Sequence, residues 1–111
     1  MTVYVDDVRV WGNAKHRCFA RGSAHLTADT LDELHAFAKR LGLKREWFQD
    51  HILVPHYDLS PKRHATALAL GATYMRAIEQ ARMRRRKRVA EGRPESPFDD
   101  LRQRRERDTD K

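Results

Sequence analysis

The alternation of apolar and polar residues at the start of the chain predicts a β-strand over residues 2–8. Val3 and Val5 are separated by more polar neighbours, and β-branched residues predominate there, as in half-buried strands. An apolar triplet that begins at Ile52 predicts a second strand over residues 52–58. Both segments are short, so we expect a small sheet.

Residues 30–41 have the spacing of an amphipathic helix. The apolar side chains recur at intervals of three and four residues: Leu31, Leu34, Phe37, Ala38 and Leu41. Thr30 followed by Glu33 predicts a capping box, and Gly42 predicts the helix end. His35 lies at the border of the buried face, so we interpret it as a partly buried structural histidine, with metal ligand as the alternative.

Ser60 and Pro61 predict the start of a second helix over residues 61–71. Its inward face is expected to consist of small and apolar residues: Ala65, Leu68 and Ala69. A third helix is predicted from residue 73 to residue 89. These elements indicate an α/β fold, with a small sheet packed against two helices and followed by a basic helical or disordered C-terminal extension.

Charge divides the chain unevenly between its two parts. The 111 residues carry a formal net charge of +7. Residues 1–74 contain 10 Lys+Arg and 8 Asp+Glu, a net of +2, whereas residues 75–111 contain 13 and 8, a net of +5. We therefore predict an α/β domain over residues 1–75 and a charged extension over residues 76–111, whose charge is relevant to partners.

The composition excludes several classes of protein. Cys18 is the single cysteine, which rules out an intramolecular disulfide, argues against a thiolate zinc site and makes a cytoplasmic location the expectation. The chain lacks the run of about 18–20 apolar residues that a membrane span needs. We also expect no secretory signal, because the N-terminus has no basic segment followed by an apolar one.

The segment His56-Tyr57-Asp58 contains the most informative candidate residues. It lies where the second strand should end and the second helix begin, a position where ligands gather in α/β sheets. His56 and Asp58 share one face of a continuing strand, with Tyr57 on the other. One interpretation is a catalytic pair, with His56 the general base and Asp58 its orienting carboxylate. The alternative is a hydrogen bond that only fixes a turn.

Asp6 and His25 are the candidate metal ligands. His25 is expected in a loop just before the first helix, where a side chain can turn toward a ligand. With His56 and Asp58 they would make a mixed imidazole and carboxylate site for a divalent metal. Asp7 should point away, because adjacent strand residues face opposite sides. The alternative role for Asp6 is to cap a turn or pair with an arginine.

A basic run over residues 82–88 is the strongest electrostatic feature. Six of its seven residues are cationic: Arg82, Arg84, Arg85, Arg86, Lys87 and Arg88. On a helix these charges surround the axis and could contact several phosphates, with strong sensitivity to salt. No aromatic residue interleaves them, which argues against stacking on single strands. The alternative is a solvated tail balanced by the acidic residues that follow it.

Several short motifs in order resemble one known family. They are Val3-Tyr4-Val5-Asp6-Asp7, His25 to Thr30, Leu34 to Ala38, Leu41-Gly42, His56-Tyr57-Asp58 and Ser60 to Ala72. Together they resemble DUF4031, small uncharacterised proteins of bacteria and their phages. The resemblance covers residues 1–72. The stretch 13–22 is longer than the family's usual link, and the basic extension lies outside the pattern, so the resemblance implies no activity for it.

Two functions follow as expectations. The first is an accessory protein of phage or bacterial origin that binds nucleic acid, or a partner associated with it, through the basic extension. The second is a small enzyme, or a domain that binds a metal or a phosphate-containing ligand, acting through Asp6, His25, His56 and Asp58. We favour the first because the charge is visible and the chemistry is inferred. No membrane partner is expected, and the sequence leaves the reaction and the oligomeric state open.

Overall fold

The computed structural model describes residues 2–10, 22–51, 54–94, 96 and 98–99. In chain order the elements are β1 (Val3–Val5), β2 (Ala24–Ala28), α1 (Leu31–Arg40), a 3-10 turn (Arg45–Trp47), β3 (Tyr57–Leu59), α2 (Pro61–Ala69), β4 (Thr73–Tyr74) and α3 (Ala77–Ala90). The chain forms two compact units, residues 1–76 and 77–111. The sheet belongs to the first unit with α1 and α2, whereas α3 belongs to the second.

The four strands form one mixed sheet in the order β3-β2-β1-β4. β2 is antiparallel to both β1 and β3, and β4 is parallel to β1. Val5, Leu26 and Tyr57 lie side by side across the three central strands, and all three are buried. α1 packs against β1 and β2, and α2 against β1 and β3. The predicted α/β fold class is therefore confirmed.

α1 follows the predicted pattern closely. The backbone N–H of Glu33 donates to Thr30 Oγ1 at 3.2 Å, which is the N-cap contact that the sequence predicts. The side chains that enter the core are Leu34, Phe37, Ala38 and Leu41. Leu31 is 49 % exposed instead, so its prediction as a core residue was wrong. It is the first residue of the helix.

The predicted inward face of α2 was wrong. Ser60 caps the helix as expected, accepting from the backbone N–H of Arg63 at 3.3 Å. The side chains expected to face inward are exposed: Ala65, Leu68 and Ala69. Ala67 is fully buried instead. The reason is a polar contact, in which His64 Nε2–H donates to the carbonyl of Asp6 at 2.8 Å. This bond turns residues 64 and 67, three apart, toward the sheet.

Two strands lie where the sequence predicted a loop and a helix. β2 carries alanine at both ends, a weak strand former, and is stabilised by pairing on both edges. β4 has two residues and pairs with β1, and Met75 N–H then donates to the carbonyl of Val5 at 2.9 Å. The third helix therefore begins at Ala77 rather than at residue 73. Residues 52–53 of the predicted second strand lie outside the described residues.

Gly22 occupies a backbone position that a side chain would not tolerate. Its φ is +115°, and an added Cβ would lie 2.8 Å from Val8 Cγ1 and 2.9 Å from the carbonyl oxygen of Arg9. The neighbouring Ser23 pairs with Arg9 in an antiparallel bridge. We therefore expect Gly22→Ala to lower the free energy of unfolding by about 3 kcal/mol, measured by urea unfolding.

Gly42→Ala is the matched control for this substitution. Gly42 also has a positive φ, +77°, but nothing lies within 4 Å of its added Cβ. Gly42→Ala should lower the free energy of unfolding only by the cost of placing alanine in a left-handed backbone conformation, about 1 kcal/mol. Equal losses in the two variants would contradict the close approach at Gly22.

Candidate functional site

A row of polar side chains crosses the sheet next to the buried row. His25 of β2 lies directly opposite Asp58 of β3. Asp6, the residue after β1, donates its backbone N–H to the carbonyl of His25 at 3.4 Å. Because neighbouring strand residues point to opposite faces, this row lies on the face opposite Val5, Leu26 and Tyr57.

Asp6 binds His25 through both of its carboxylate oxygens. Oδ1 accepts the backbone N–H of His25 at 2.6 Å, and Oδ2 accepts the ring Nδ1–H at 2.8 Å. Burial raises the pKa of Asp6, but these hydrogen bonds outweigh it and leave that pKa below its ordinary value of 3.8. The bond to Asp6 raises the pKa of His25 above 6.5 against the opposing effect of burial.

His56 is oriented by the backbone. Its Nδ1–H donates to the carbonyl of Val54 at 2.8 Å, which leaves Nε2 as the acceptor in the neutral ring. That Nε2 lies 3.6 Å from Asp58 Oδ1. The other carboxylate oxygen of Asp58, Oδ2, accepts a hydrogen bond from Gln49 Nε2. Gln49 in turn pairs with His56 through two backbone hydrogen bonds, of 2.9 and 3.1 Å.

Three of these side chains converge on one point. His25 Nε2 lies 3.9 Å from Asp58 Oδ1, and the rings of His25 and His56 meet edge to face with centroids 4.9 Å apart. One ligand atom each from His25, His56 and Asp58 lies within 4.8 Å of the other two. We call these three residues the His/Asp cluster. The structure thus brings together all four candidates from the sequence, with Asp6 behind His25.

The setting of His25 differs from the prediction. It lies in β2, in the middle of the sheet, and not in a loop. Three groups that hold the site were not predicted: the Gln49 side chain, the Val54 carbonyl and His64. His64 alone had a signal, because it lies four residues after the N-cap of α2, on the face that turns back toward the sheet.

Other polar residues near the motifs have structural partners. Asp7 accepts the hydroxyl of Tyr74 at 2.6 Å. Asp29 accepts the hydroxyl of Tyr4 at 3.0 Å and the backbone N–H of Thr2 at 3.1 Å. Asp7 and Asp29 thus join segments of the first unit that are distant in sequence.

His35 does not belong to the His/Asp cluster but packs among aromatic side chains. Its Nδ1 is hydrogen-bonded to the Tyr57 hydroxyl at 2.9 Å, and its ring meets that of Phe48 edge to face at 4.7 Å. Burial, followed by the charge of Arg45, lowers the pKa of His35. These contacts describe a structural histidine.

The basic run lies on α3 in the second unit. Three of its arginines, with Val89 and Ala90, line one shallow concave surface: Arg82, Arg85 and Arg86. Their spacing of three and four residues places them on one side of the helix. Among the residues described, no helix is both long and apolar enough to cross a membrane.

The fold and the site define a small mixed α/β domain with a cluster of histidine and aspartate on one sheet face. A family model described as "Protein of unknown function (DUF4031)" matches residues 3–87. The chain therefore belongs to the DUF4031 family. The match passes residue 72 and includes most of the basic run, so the expectation that the run lies outside the family pattern was wrong. Comparisons with curated proteins and with solved structures found no match.

The contact between Asp6 and His25 predicts how stability depends on pH in metal-free protein. The raised pKa of His25 means that its contribution is complete below pH 6.5 and is lost as pH rises through the folded-state pKa. The lowered pKa of Asp6 means that its contribution is present above pH 3.8 and is lost in stronger acid. The pair should therefore stabilise the fold most between these two values.

We expect Asp6→Asn to lower the pKa of His25, measured by NMR titration of the ring protons in the presence of EDTA. It should also destabilise the protein by about 1 kcal/mol at mildly acidic pH, and by less above the folded-state pKa of His25. Asp7→Asn is the control, because Asp7 contacts Tyr74 instead. An unchanged His25 titration in Asp6→Asn would contradict the assignment.

Proposed function

We propose that this domain binds a divalent transition-metal ion through His25, His56 and Asp58. The observation that carries the proposal is that each of the three is held on the side away from the cluster: His25 by Asp6, His56 by the Val54 carbonyl and Asp58 by Gln49. Metal-binding histidines almost always donate their second ring N–H to a carboxylate or a carbonyl in this way. A turn-fixing hydrogen bond would need only one of these contacts.

The distances support a shared ion. The nitrogen and oxygen ligands of a tetrahedral ion, bonded at about 2.0–2.1 Å, lie roughly 3.3–3.5 Å apart. Asp58 Oδ1 lies 3.6 Å from His56 Nε2 and 3.9 Å from His25 Nε2. Side-chain movements of a few tenths of an ångström would therefore suffice. The side chains of His25 and Asp58 are 38 % and 32 % exposed, so an ion can reach them from solvent.

The donor set selects the class of metal. Two imidazoles and one carboxylate suit zinc, iron and similar ions, whereas calcium and magnesium prefer oxygen alone. Three protein ligands also leave a coordination position for water or substrate, as in metal-dependent hydrolysis and oxygenation. Asp6 has the position of the carboxylate that orients a ligand, rather than of a ligand, and we revise its predicted role accordingly.

The geometry favours this function over a base formed by His56 with Asp58. The 3.6 Å separation of His56 Nε2 from Asp58 Oδ1 exceeds an ordinary hydrogen bond. The ring nitrogen that an orienting carboxylate would hold is already bound to the Val54 carbonyl. His56 and Asp58 therefore suit two ligands of one ion better than a base and its orienting partner.

Titration of EDTA-treated full-length protein with Zn²⁺ or Co²⁺ tests the proposal. We expect one site that gives a Co²⁺ absorption spectrum, and no comparable binding of Mg²⁺. His25→Gln, His56→Gln and Asp58→Asn should each weaken binding by more than tenfold. Asp6→Asn should weaken it by about 10- to 100-fold, the usual effect of removing an orienting carboxylate.

His64→Gln is the matched control for these variants. It removes a nearby imidazole that lies outside the cluster and keeps an N–H that can donate to the carbonyl of Asp6. Its metal affinity should match that of the wild type. Undiminished binding in the His25→Gln/His56→Gln double variant would overturn the proposal.

We propose a second function, contact with nucleic acid, for α3. The supporting observation is that three arginines of the basic run share one side of the helix, so they could meet successive phosphates of one backbone. The family match includes five of the six cations of the run. The same residues would serve equally for a partner that carries nucleic acid.

Duplex binding by an Arg82→Gln/Arg86→Gln variant tests this second function. The slope of log affinity against log salt should fall by about 0.9 for each phosphate contact removed, as measured by fluorescence anisotropy. Lys39→Gln/Arg40→Gln removes the same charge from α1 and should leave the slope unchanged. If the two variants reduced the slope equally, binding would depend on net charge alone, and α3 would not be the contact surface.

A further inference from the structure

An exposed tryptophan lies between two cations at the end of the 3-10 turn. Trp47 is 44 % exposed. The Lys44 ammonium lies 5.6 Å, and the Arg63 guanidinium carbon 5.5 Å, from the centroid of its ring. We call Lys44, Trp47 and Arg63 the Trp47 surface. It brings together the 3-10 turn and the first turn of α2, which are distant in sequence.

The core does not account for the exposure of Trp47. The next residue, Phe48, serves the core, with its ring 5.5 Å from that of Tyr57 and 4.7 Å from that of His35. Trp47 is the last residue of the 3-10 turn, and its ring lies beside Lys44 and Arg63. A large aromatic ring beside two cations and open to solvent is a recurrent feature of surfaces that bind nucleic acid strands.

We propose that the Trp47 surface binds single-stranded nucleic acid, with one base stacked on Trp47 and the adjoining phosphates at Lys44 and Arg63. Stacking of a base on an aromatic ring is stronger than an exposed cation–π contact, so a base can displace one cation from the ring. The displaced cation then remains close enough to meet a phosphate. The proposal goes beyond metal binding and does not depend on it.

The charge around the surface distinguishes it from α3. Glu46 and Asp50 lie in the same segment as Lys44 and Arg45, so the local net charge is small. Attraction for a strand must then come mainly from stacking, with few counterions released. We therefore expect shallow salt dependence at Trp47, in contrast to the steep dependence of a surface built from arginines alone.

The Trp47 surface borders the His/Asp cluster along the chain on both sides. Gln49, two residues after Trp47, donates to Asp58, and Arg63 follows Asp58 by five residues. The two features are therefore close in sequence, through residues 47–49 and 58–63.

Fluorescence of Trp47 tests the proposal directly. The experiment uses the full chain in EDTA, with Trp11→Phe leaving Trp47 as the only tryptophan, and adds an oligothymidylate of about 15 nucleotides. We expect saturable quenching that persists at about 0.3 M salt, and none with an abasic strand of equal length. If Trp11→Phe does not fold, the difference between wild type and Trp47→Phe gives the same reading.

Substitutions locate the contact when the affinity of each variant for the strand is measured by fluorescence anisotropy. Trp47→Ala should weaken binding about tenfold, Trp47→Phe less, and Arg63→Ala several-fold. Arg40→Ala is the matched control, since its guanidinium carbon lies 5.4 Å from the ring of Phe37, which is buried and cannot receive a base. It should bind as the wild type does.

Two results would overturn the proposal. If the oligonucleotide bound without quenching the fluorescence of Trp47, and with the same affinity in Trp47→Ala, the strand would bind elsewhere on the protein. Quenching by thymidine monophosphate at the same affinity as the oligonucleotide would make this a mononucleotide site instead of a surface for a strand.

Discussion

The pairing of β2 with both of its neighbours is the constraint on which the rest of the structure depends. Side chains alternate along a strand, so a slip of one residue would move Leu26 to the polar face and His25 into the core. Val5, Leu26 and Tyr57 bury one side of the sheet and thereby select the register. The hydrophobic face therefore determines which polar residues meet on the other.

Asp6 links that register to the orientation of a ring. One of its carboxylate oxygens accepts the backbone N–H of His25 and the other accepts the ring N–H, so the residue that follows β1 also fixes the histidine of β2. The backbone of Asp6 is tied to α2, since its main-chain carbonyl accepts a hydrogen bond from His64 Nε2–H. Asp6 thus connects β1, β2 and α2, and the position of the His25 ring depends on the packing of these three elements.

The features that sequence could predict are local. The capping of α1 by Thr30 and of α2 by Ser60, and the shared face of His56 and Asp58, depend on residues within one turn or one strand. β2, β4 and the buried face of α2 depend on distant partners, and their own residues are weak or ambiguous formers. The same holds at the site, where Gln49 meets Asp58 only because its backbone pairs with His56. The basic run contains no aromatic residue, whereas Trp47 meets a cation, Arg63, from another part of the chain.

The bridge between Gln49 and His56 has a consequence for how the site opens. His25 and Asp58 belong to paired strands, but His56 lies just before β3 and is held to Gln49 by two backbone hydrogen bonds. Breaking those two bonds is a local event that leaves the sheet intact. We therefore expect His56, which also bonds the Val54 carbonyl, to separate from the cluster more readily than His25 and Asp58, which lie in paired strands. The proposed metal ion would then exchange one ligand bond at a time, through a partly open state, without global unfolding.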